Sequence, residues 1–452
     1  MELLNSWAAA FNNFVWGNSM LVLLVGGGLF FTLYSRLTPF RYLKHGFDLL
    51  TGRYDDSHAR GDISHAQALS TALAGTVGMG NIAGVALAIT AGGPGAVFWM
   101  WISALVGVST KFFTCTLGVM YRRTDPDGHV RGGPMYVVTE GLGKRWKPLA
   151  VLFATAGLFG TMPAFQANQL TAVVREELLP NFALVSSPVV NWGMAVLLSI
   201  VVGAILYGGL SRVATVASRL VPSMAILYLA MTAFVLAQHL PELPGLFASI
   251  FNEAFNPQAV AGGLAGVMLI GISRGVFSNE AGIGTEVMAH GAAKTDQPVR
   301  EGLVGMLGPI IDTIIICTCT ALVILASGAW QHAEGMQGVE LTMGVYRNEL
   351  GLVGQILLSI QVLLLASTTM FTYGYYGERC FAFLFGEGAA KHYKYFYIAM
   401  IAVGCTFTLD FVFNVMMGMY ALMAIPTMLS ALILAPKVMA AAREYFAGLE
   451  RG

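Results

Sequence analysis

Apolar positions along this chain fall in long blocks, not at a period of two and not in short amphipathic stripes. Windows of about 19 residues predict helices near 14–34, 64–92, 94–121, 148–178, 188–208, 213–237, 258–290, 301–328, 345–382, 394–412 and 415–437. Each block is about the length a helix needs to cross a bilayer, roughly 20 apolar residues. The blocks at 258–290 and 345–382 are long enough to be broken, tilted or extended beyond the bilayer. Composition agrees: of 452 residues, 56% are apolar and 11% charged, against roughly 25% charged in soluble domains. A soluble enzyme is excluded. The fold class is an all-α integral membrane protein with about eleven transmembrane helices, counted here as spans one to eleven.

Charge then orients the spans. The chain carries 25 Lys and Arg against 25 Asp and Glu, so a basic excess that could hold nucleic acid is missing. All the basic residues except Lys111, Arg175, Arg274 and Arg347 fall on one set of alternate connections or at the C-terminus. By the positive-inside rule that side is cytoplasmic, which places the N-terminus outside and the C-terminus inside the plasma (inner) membrane. The opposite connections are acidic, with Glu176, Glu177, Glu242, Glu253, Glu334 and Glu340. Residues 1–16 lack the basic start and small-residue cleavage site of a signal peptide, so the first helix is expected to stay. The five cysteines lie in or beside apolar runs and suggest neither disulfides nor a metal site. No histidine lies mid-span, and His65 and His290 sit at span edges, which argues against a histidine proton relay.

Glycine interrupts two of the blocks. In span two, Ser70 to Gly84 places Gly75, Gly78 and Gly80 within six residues, each weakening a helix by up to about 1 kcal/mol relative to Ala. Close packing through small residues would explain these alone. A second such stretch, Gly271 to Gly284, lies five helices later in span seven and repeats the Asn-x-Ala-Gly of residues 81–84 at 279–282. Gly-broken spans at matching positions of two halves point to an inverted-repeat transporter. The expected division is 1–62 for an extra N-terminal helix and its connection, 63–255 and 256–437 for two five-helix repeats, and 438–452 for a cytoplasmic tail. Unwound carbonyls can hold a cation, and the amides opening the next half-helix can hold an anion. A zwitterionic amino acid suits both, its carboxylate near Gly78 to Asn81 and its ammonium on carbonyls around Thr76 and Phe277.

Six motifs together resemble the alanine or glycine:cation symporter family. They are Ala74-Gly-Thr-Val-Gly-Met-Gly-Asn-Ile-Ala-Gly-Val-Ala86, Thr90 to Trp101, Arg131-Gly-Gly-Pro-Met-Tyr136, Phe277-Ser-Asn-Glu-Ala-Gly-Ile-Gly284, Ile311-Asp-Thr313 and Tyr376-Gly-Glu-Arg-Cys380. The resemblance runs from about residue 15 to 437. It implies a leucine-transporter (LeuT)-like fold with an added N-terminal helix, and import of alanine or glycine driven by sodium or less often protons. No cofactor beyond the coupling ion is implied. By this resemblance Gly75, Thr76, Met79, Gly80, Gln166, Phe277 and Tyr373 border the substrate. Carbonyls of Ala74, Val77 and Leu365 and hydroxyls of Thr368 and Thr369 would hold sodium. Asn81, Ser278 and Asp312 would form a second cation site or support the break. Met79 stands where Thr is common, Tyr373 where Trp is common, and Glu286 in a stretch usually neutral.

Ionisable residues at membrane depth are few: Lys111, Arg274, Glu280, Glu286, Asp312 and Glu378. Each costs about 2.5–3.5 kcal/mol in hydrocarbon and needs a partner or an aqueous cavity. Asp312 could coordinate a cation or brace span seven, and bracing is favoured because a fixed carboxylate would slow sodium release. Glu280 is read as a brace of the break, Arg274 and the Glu378-Arg379 pair as internal salt bridges or gate elements. A channel would need a repeated filter, and an enzyme would need a catalytic cluster; the sequence offers neither. A proton-coupled or uncoupled facilitator is the alternative to sodium symport.

Overall fold

The computed structural model describes residues 2–56, 58–125, 128–182, 188–255, 263–332 and 338–449. The N-terminal part of the predicted span seven, and Glu334, fall outside these. Helices dominate, with one two-residue-per-strand hairpin, Arg123–Thr124 against Val130–Arg131, in the connection after span three. Among the described residues, seven helices are long and apolar enough to cross a membrane, and two bent pairs raise this to nine. Those pairs are Glu2–Val15 with Asn18–Tyr34, bent by 47°, and His65–Thr76 with Gly80–Gly92, bent by 51°. Of the two remaining predicted spans, the described part of span seven is Gly263–Asn279, with 17 residues, and span ten is Glu387–Thr406, which carries Glu387, Lys391 and Lys394.

Several segments depart from the sequence pattern. Helix begins at Glu2, not near residue 14, and this first segment packs on the last helix, where the Trp16 indole N–H donates to the Met417 carbonyl at 2.6 Å. Leu243–Phe255, read as connection, is a helix whose Ala254 carbonyl accepts the Trp99 indole N–H at 3.0 Å. Its apolar residues alternate with Pro and Gly near the start, which hid the period. The run Val339–Phe385 turns at Gly351 (φ 61°, ψ −148°), so the ninth span is 352–385 and 339–350 is a separate helix. The last helix continues from Leu409 to Leu449.

Glycines in span seven divide into two kinds. A Cβ on Gly271 would stand 2.4 Å from the Ala96 carbonyl, and one on Gly275 would stand 2.1 Å from Ser103 Oγ. These two let span seven lie flush on span three, Gly95–Met120. The chain leaves the helix only after Asn279, where Glu280 (φ 55°), Gly282 (φ 88°) and Gly284 (φ 94°) take left-handed conformations. Helix returns at Val287–His290.

Candidate functional site

The break in span two lies at Val77–Met79. Val77 leaves the helix (φ −73°, ψ 84°). Asn81 then folds back, its Oδ1 accepting the Gly78 N–H at 2.8 Å. An Asn in the first turn caps the second half-helix from inside, much as an N-cap residue satisfies an orphan amide. The two breaks are adjacent: a Cβ on Gly80 would meet Ser278 Cα at 3.3 Å and the Phe277 ring at 3.4 Å.

Asp312 joins them. Fully buried, it accepts from Asn81 Nδ2 at 2.7 Å, Ser278 Oγ at 2.8 Å and Thr313 Oγ1 at 2.7 Å. One carboxylate thereby ties the turn that follows the break in span two to the turn that precedes the break in span seven. Asn81 and Ser278, proposed from sequence as ion ligands or supports, both spend their donors on Asp312. Thr320 extends it by donating to the Asn81 carbonyl at 2.7 Å and meeting Tyr228 OH at 2.6 Å.

The sequence-derived sodium residues gather on facing surfaces. A Cβ on Gly78 would lie 2.4 Å from Thr369 Oγ1, so the unwound backbone beside Val77 rests directly on the ninth span. The Leu365 carbonyl accepts from Thr368 Oγ1 at 3.1 Å and Thr369 Oγ1 at 3.0 Å. Both hydroxyls thus bond back to their own helix, which still leaves their oxygens as acceptors. Thr368 Oγ1 also lies 4.0 Å from Met224 Sδ of span six, whereas Thr369 faces the break. Ala74 is fully buried on the same half-helix.

On the substrate side, a Cβ on Gly75 would stand 3.4 Å from the Tyr373 ring. Tyr373 in turn donates its hydroxyl to Glu280, which also accepts from Thr285 and, at 3.1 Å, from Tyr420 OH. Glu280 therefore holds three hydroxyls, one from beyond the span-seven break and one each from the ninth and the last span. Tyr420 was not legible as a site residue, because nothing in its neighbourhood marks it. Lys111, buried in span three, is close enough to Glu280 and Asp312 to interact with both electrostatically. Glu286 lies 3.4 Å from Thr114 Oγ1.

Phe277 packs edge-on to Phe165 at 5.4 Å and to Phe413 at 5.2 Å. Arg274, read from sequence as a salt bridge or a gate element, lies over the Phe413 ring at 4.3 Å and forms no ion pair among the described residues. Arg379 and Glu378 do form ion pairs, with Glu387 at 3.2 Å and Lys394 at 3.6 Å. Gln166 is buried beside Phe165, and its Oε1 has no hydrogen-bond partner among the described residues. Met79 and Thr76 are buried at the break, and the Thr76 hydroxyl bonds back to Ala72 at 3.3 Å.

Two interrupted helices meeting at the centre of an apolar helical assembly define a membrane transporter of the broken-helix class. Its fold matches a solved amino-acid-bound structure, that of MhsT in complex with L-phenylalanine, at a TM-score of 0.59 over 84% of this chain and 98% of that one, with 15% identity. The chain belongs to the sodium:alanine symporter family, whose model matches residues 1–452. It is 38% identical to an uncharacterized transporter of Haemophilus influenzae, over 99% of this chain and 97% of the relative. It is 37% identical to the sodium/alanine symporter AgcS of Methanococcus maripaludis, over 96% and 95%. The protein is thus a sodium-coupled amino acid transporter, not an enzyme, and needs no cofactor beyond its coupling ion.

Proposed function

We propose that the protein imports alanine, glycine or a similarly small neutral amino acid with sodium by alternating access, binding both at the paired breaks. The observation that carries this reading is the Asp312 crosspiece, which holds the opened stretch of span two against the last turn of helix before the break in span seven while keeping its own charge occupied. The Glu280 charge is likewise taken up by three hydroxyls, which leaves the backbone groups of the breaks to a zwitterion and a monovalent ion that must leave again. Because Asn81 takes the Gly78 amide, the substrate carboxylate falls to the amides of Met79 and Gly80, which open the second half-helix. The ammonium lies on the carbonyl side, near Thr76 and Phe277. Sodium sits between the carbonyls of Ala74, Val77 and Leu365 and the hydroxyls of Thr368 and Thr369. The eleven-span count, the inverted repeat and an N-outside, C-inside orientation belong to the same reading.

One positive charge moving down 100 mV supplies about 2.3 kcal/mol, roughly a 50-fold accumulation of a neutral substrate. Proteoliposomes containing the protein are therefore expected to concentrate labelled alanine when sodium and an inside-negative potential are imposed, with inward current. Equal uptake with choline replacing sodium at fixed pH would refute sodium coupling, and uptake driven by a pH gradient alone would establish proton coupling instead. Because Thr369 faces the break and Thr368 also touches Met224, Thr369→Ala should raise the sodium concentration for half-maximal uptake by about tenfold, a change of about 1.4 kcal/mol. Thr368→Ala should weaken sodium dependence less. A competition panel of L- and D-amino acids against alanine settles preference and chirality.

A further inference from the structure

At the end predicted to be cytoplasmic, a charged region stands apart from the paired breaks. After span one the chain turns through Arg36 (φ 54°) and Leu37 (φ 62°) into two short helices, Thr38–Arg41 and Leu43–Leu50. A Cβ on Gly46 would stand 2.7 Å from the Leu303 carbonyl, so this segment lies flush on span eight. The same face reaches the last helix, where Tyr42 stacks on Phe446 with ring centres 3.7 Å apart and His45 Nε2 meets Tyr445 OH at 2.8 Å. Lys44 and Phe47 stay exposed, and residues 36–53 carry Arg36, Arg41, Lys44 and Arg53 against Asp48 alone. A short helix with one buried face and basic and aromatic residues on the other suits the plane of a bilayer surface.

Beside this segment, between Tyr54, the start of span eight and the end of the last helix, lies a cavity of about 570 Å³. Its depth follows from the spans. The last helix has 41 residues, about 60 Å in length, against about 45 Å for a whole bilayer with its headgroups. Its predicted span ends at 437, and Ala441 on the cavity wall comes one turn later. Arg300, on another wall, stands just before the predicted start of span eight at 301. Both walls thus reach the headgroup layer.

The cavity presents charges of both signs. Arg300 is held in place, its NH1 donating to the Tyr54 carbonyl at 2.7 Å and its guanidinium lying 5.8 Å from the centre of the Tyr54 ring, with the Tyr445 hydroxyl also beside it. Its Nε is buried without a hydrogen-bond partner among the described residues. Glu444 stands exposed on the last helix. Neither residue forms an ion pair among the described residues. A fixed guanidinium with an unused N–H suits a phosphate oxygen, and a carboxylate across the same cavity suits an ammonium.

We propose that this cavity binds the phosphoethanolamine headgroup of a membrane lipid, with its phosphate on Arg300 and its ammonium on Glu444. Basic pockets between helices at this membrane face take lipid headgroups, and the volume exceeds what a lone phosphate fills. Charge complementarity selects among lipids. Phosphatidylglycerol brings a phosphate and no cation, which leaves Glu444 facing a net negative headgroup. Phosphatidylcholine brings methyl groups where Glu444 needs N–H donors. A headgroup held by both walls bridges span eight and the last helix, so it stabilises the folded protein by mass action.

The test uses the purified full-length protein in detergent, titrated with mixed micelles of dioleoyl phosphatidylethanolamine, phosphatidylcholine or phosphatidylglycerol and followed by native mass spectrometry and melting temperature. Phosphatidylethanolamine is expected to bind at least about fivefold more tightly than the other two and to raise the melting temperature more than either. Arg300→Gln should retain one ethanolamine lipid fewer and lose the added thermal protection. Glu444→Gln, a change at an exposed position, should keep a lipid at the cavity but hold phosphatidylglycerol as well as phosphatidylethanolamine. Equal binding of the three lipids by the parent protein overturns the proposal, and this comparison needs no variant. An Arg300→Gln protein with the full lipid complement, or an unchanged lipid preference in Glu444→Gln, also overturns it. So does equal thermal protection by millimolar O-phosphoethanolamine without lipid, which would assign the cavity to a soluble phosphate compound. Binding and melting are read without transport, so neither outcome depends on the substrate.

Discussion

Asp312→Ala is expected to abolish sodium-driven uptake of labelled amino acid and to lower the melting temperature of the purified protein. The substitution strips the acceptor from Asn81 Nδ2, Ser278 Oγ and Thr313 Oγ1, all buried. Leaving buried donors unpaired costs about 1–3 kcal/mol each. Even partial relaxation leaves a loss of about 3 kcal/mol, enough to lower uptake by more than about 100-fold if it falls on the bound geometry. Asp312→Asn separates bracing from ion binding. Its amide still accepts from Ser278 and Thr313, but one face now sets NH₂ against the Asn81 amide. As a brace, Asn lowers turnover while the sodium concentration for half-maximal uptake stays within about threefold. If Asp312 were a sodium ligand, losing its charge would raise that concentration by well over about tenfold, equivalent to 1.4 kcal/mol or more.

Gly78→Ala should come close to the same loss of uptake through a different cause. Its methyl would sit 2.4 Å from Thr369 Oγ1, nearer than any real packing contact. Either the break or the ninth span must move, and forced overpacking costs about 1–3 kcal/mol. Because the displaced group is the Thr369 hydroxyl, the damage should appear first as a raised sodium requirement. Gly75→Ala is the control. There the added methyl meets Thr372 and Tyr373 at 3.4 Å, an ordinary contact distance, so sodium dependence should persist while substrate affinity changes. Sodium titrations of alanine uptake for both variants check the pair. Equal sodium requirements in Gly78→Ala and the parent would rule out an ion beside Thr369.

Much of the architecture was open to sequence reading, because a long apolar block in lipid has one cheap solution, a helix with its own hydrogen bonds satisfied. Block ends were less secure. Gly351 sits within the block read as span nine, just after Arg347-Asn348-Glu349, and its φ of 61° reveals that two helices meet there. Leu243–Phe255 was missed for the opposite reason, since Leu243, Pro244 and Gly245 at its start resemble a turn. Glycines were legible as a pattern but not by role. Gly271 and Gly275 looked like part of the break, and neighbouring Ala96 and Ser103 show them to be packing contacts.

Site chemistry divides along the same line. The chain alone determined that function lies within the membrane, that spans two and seven are interrupted, and that few charges lie at depth, because hydropathy and backbone propensity are local properties. It also narrowed Asp312 to a brace or a ligand. Only the tertiary structure decided what those charges meet. Asp312 finds Asn81 from 231 residues away in sequence, Glu280 finds Tyr373 and Tyr420, Arg274 finds a ring, and His65 shares Glu301 with His290. A buried charge is defined by its partner, and hydrogen bonds reach only about 3 Å. Which side chains come that close is set by how the helices pack, and no local pattern in the chain records it.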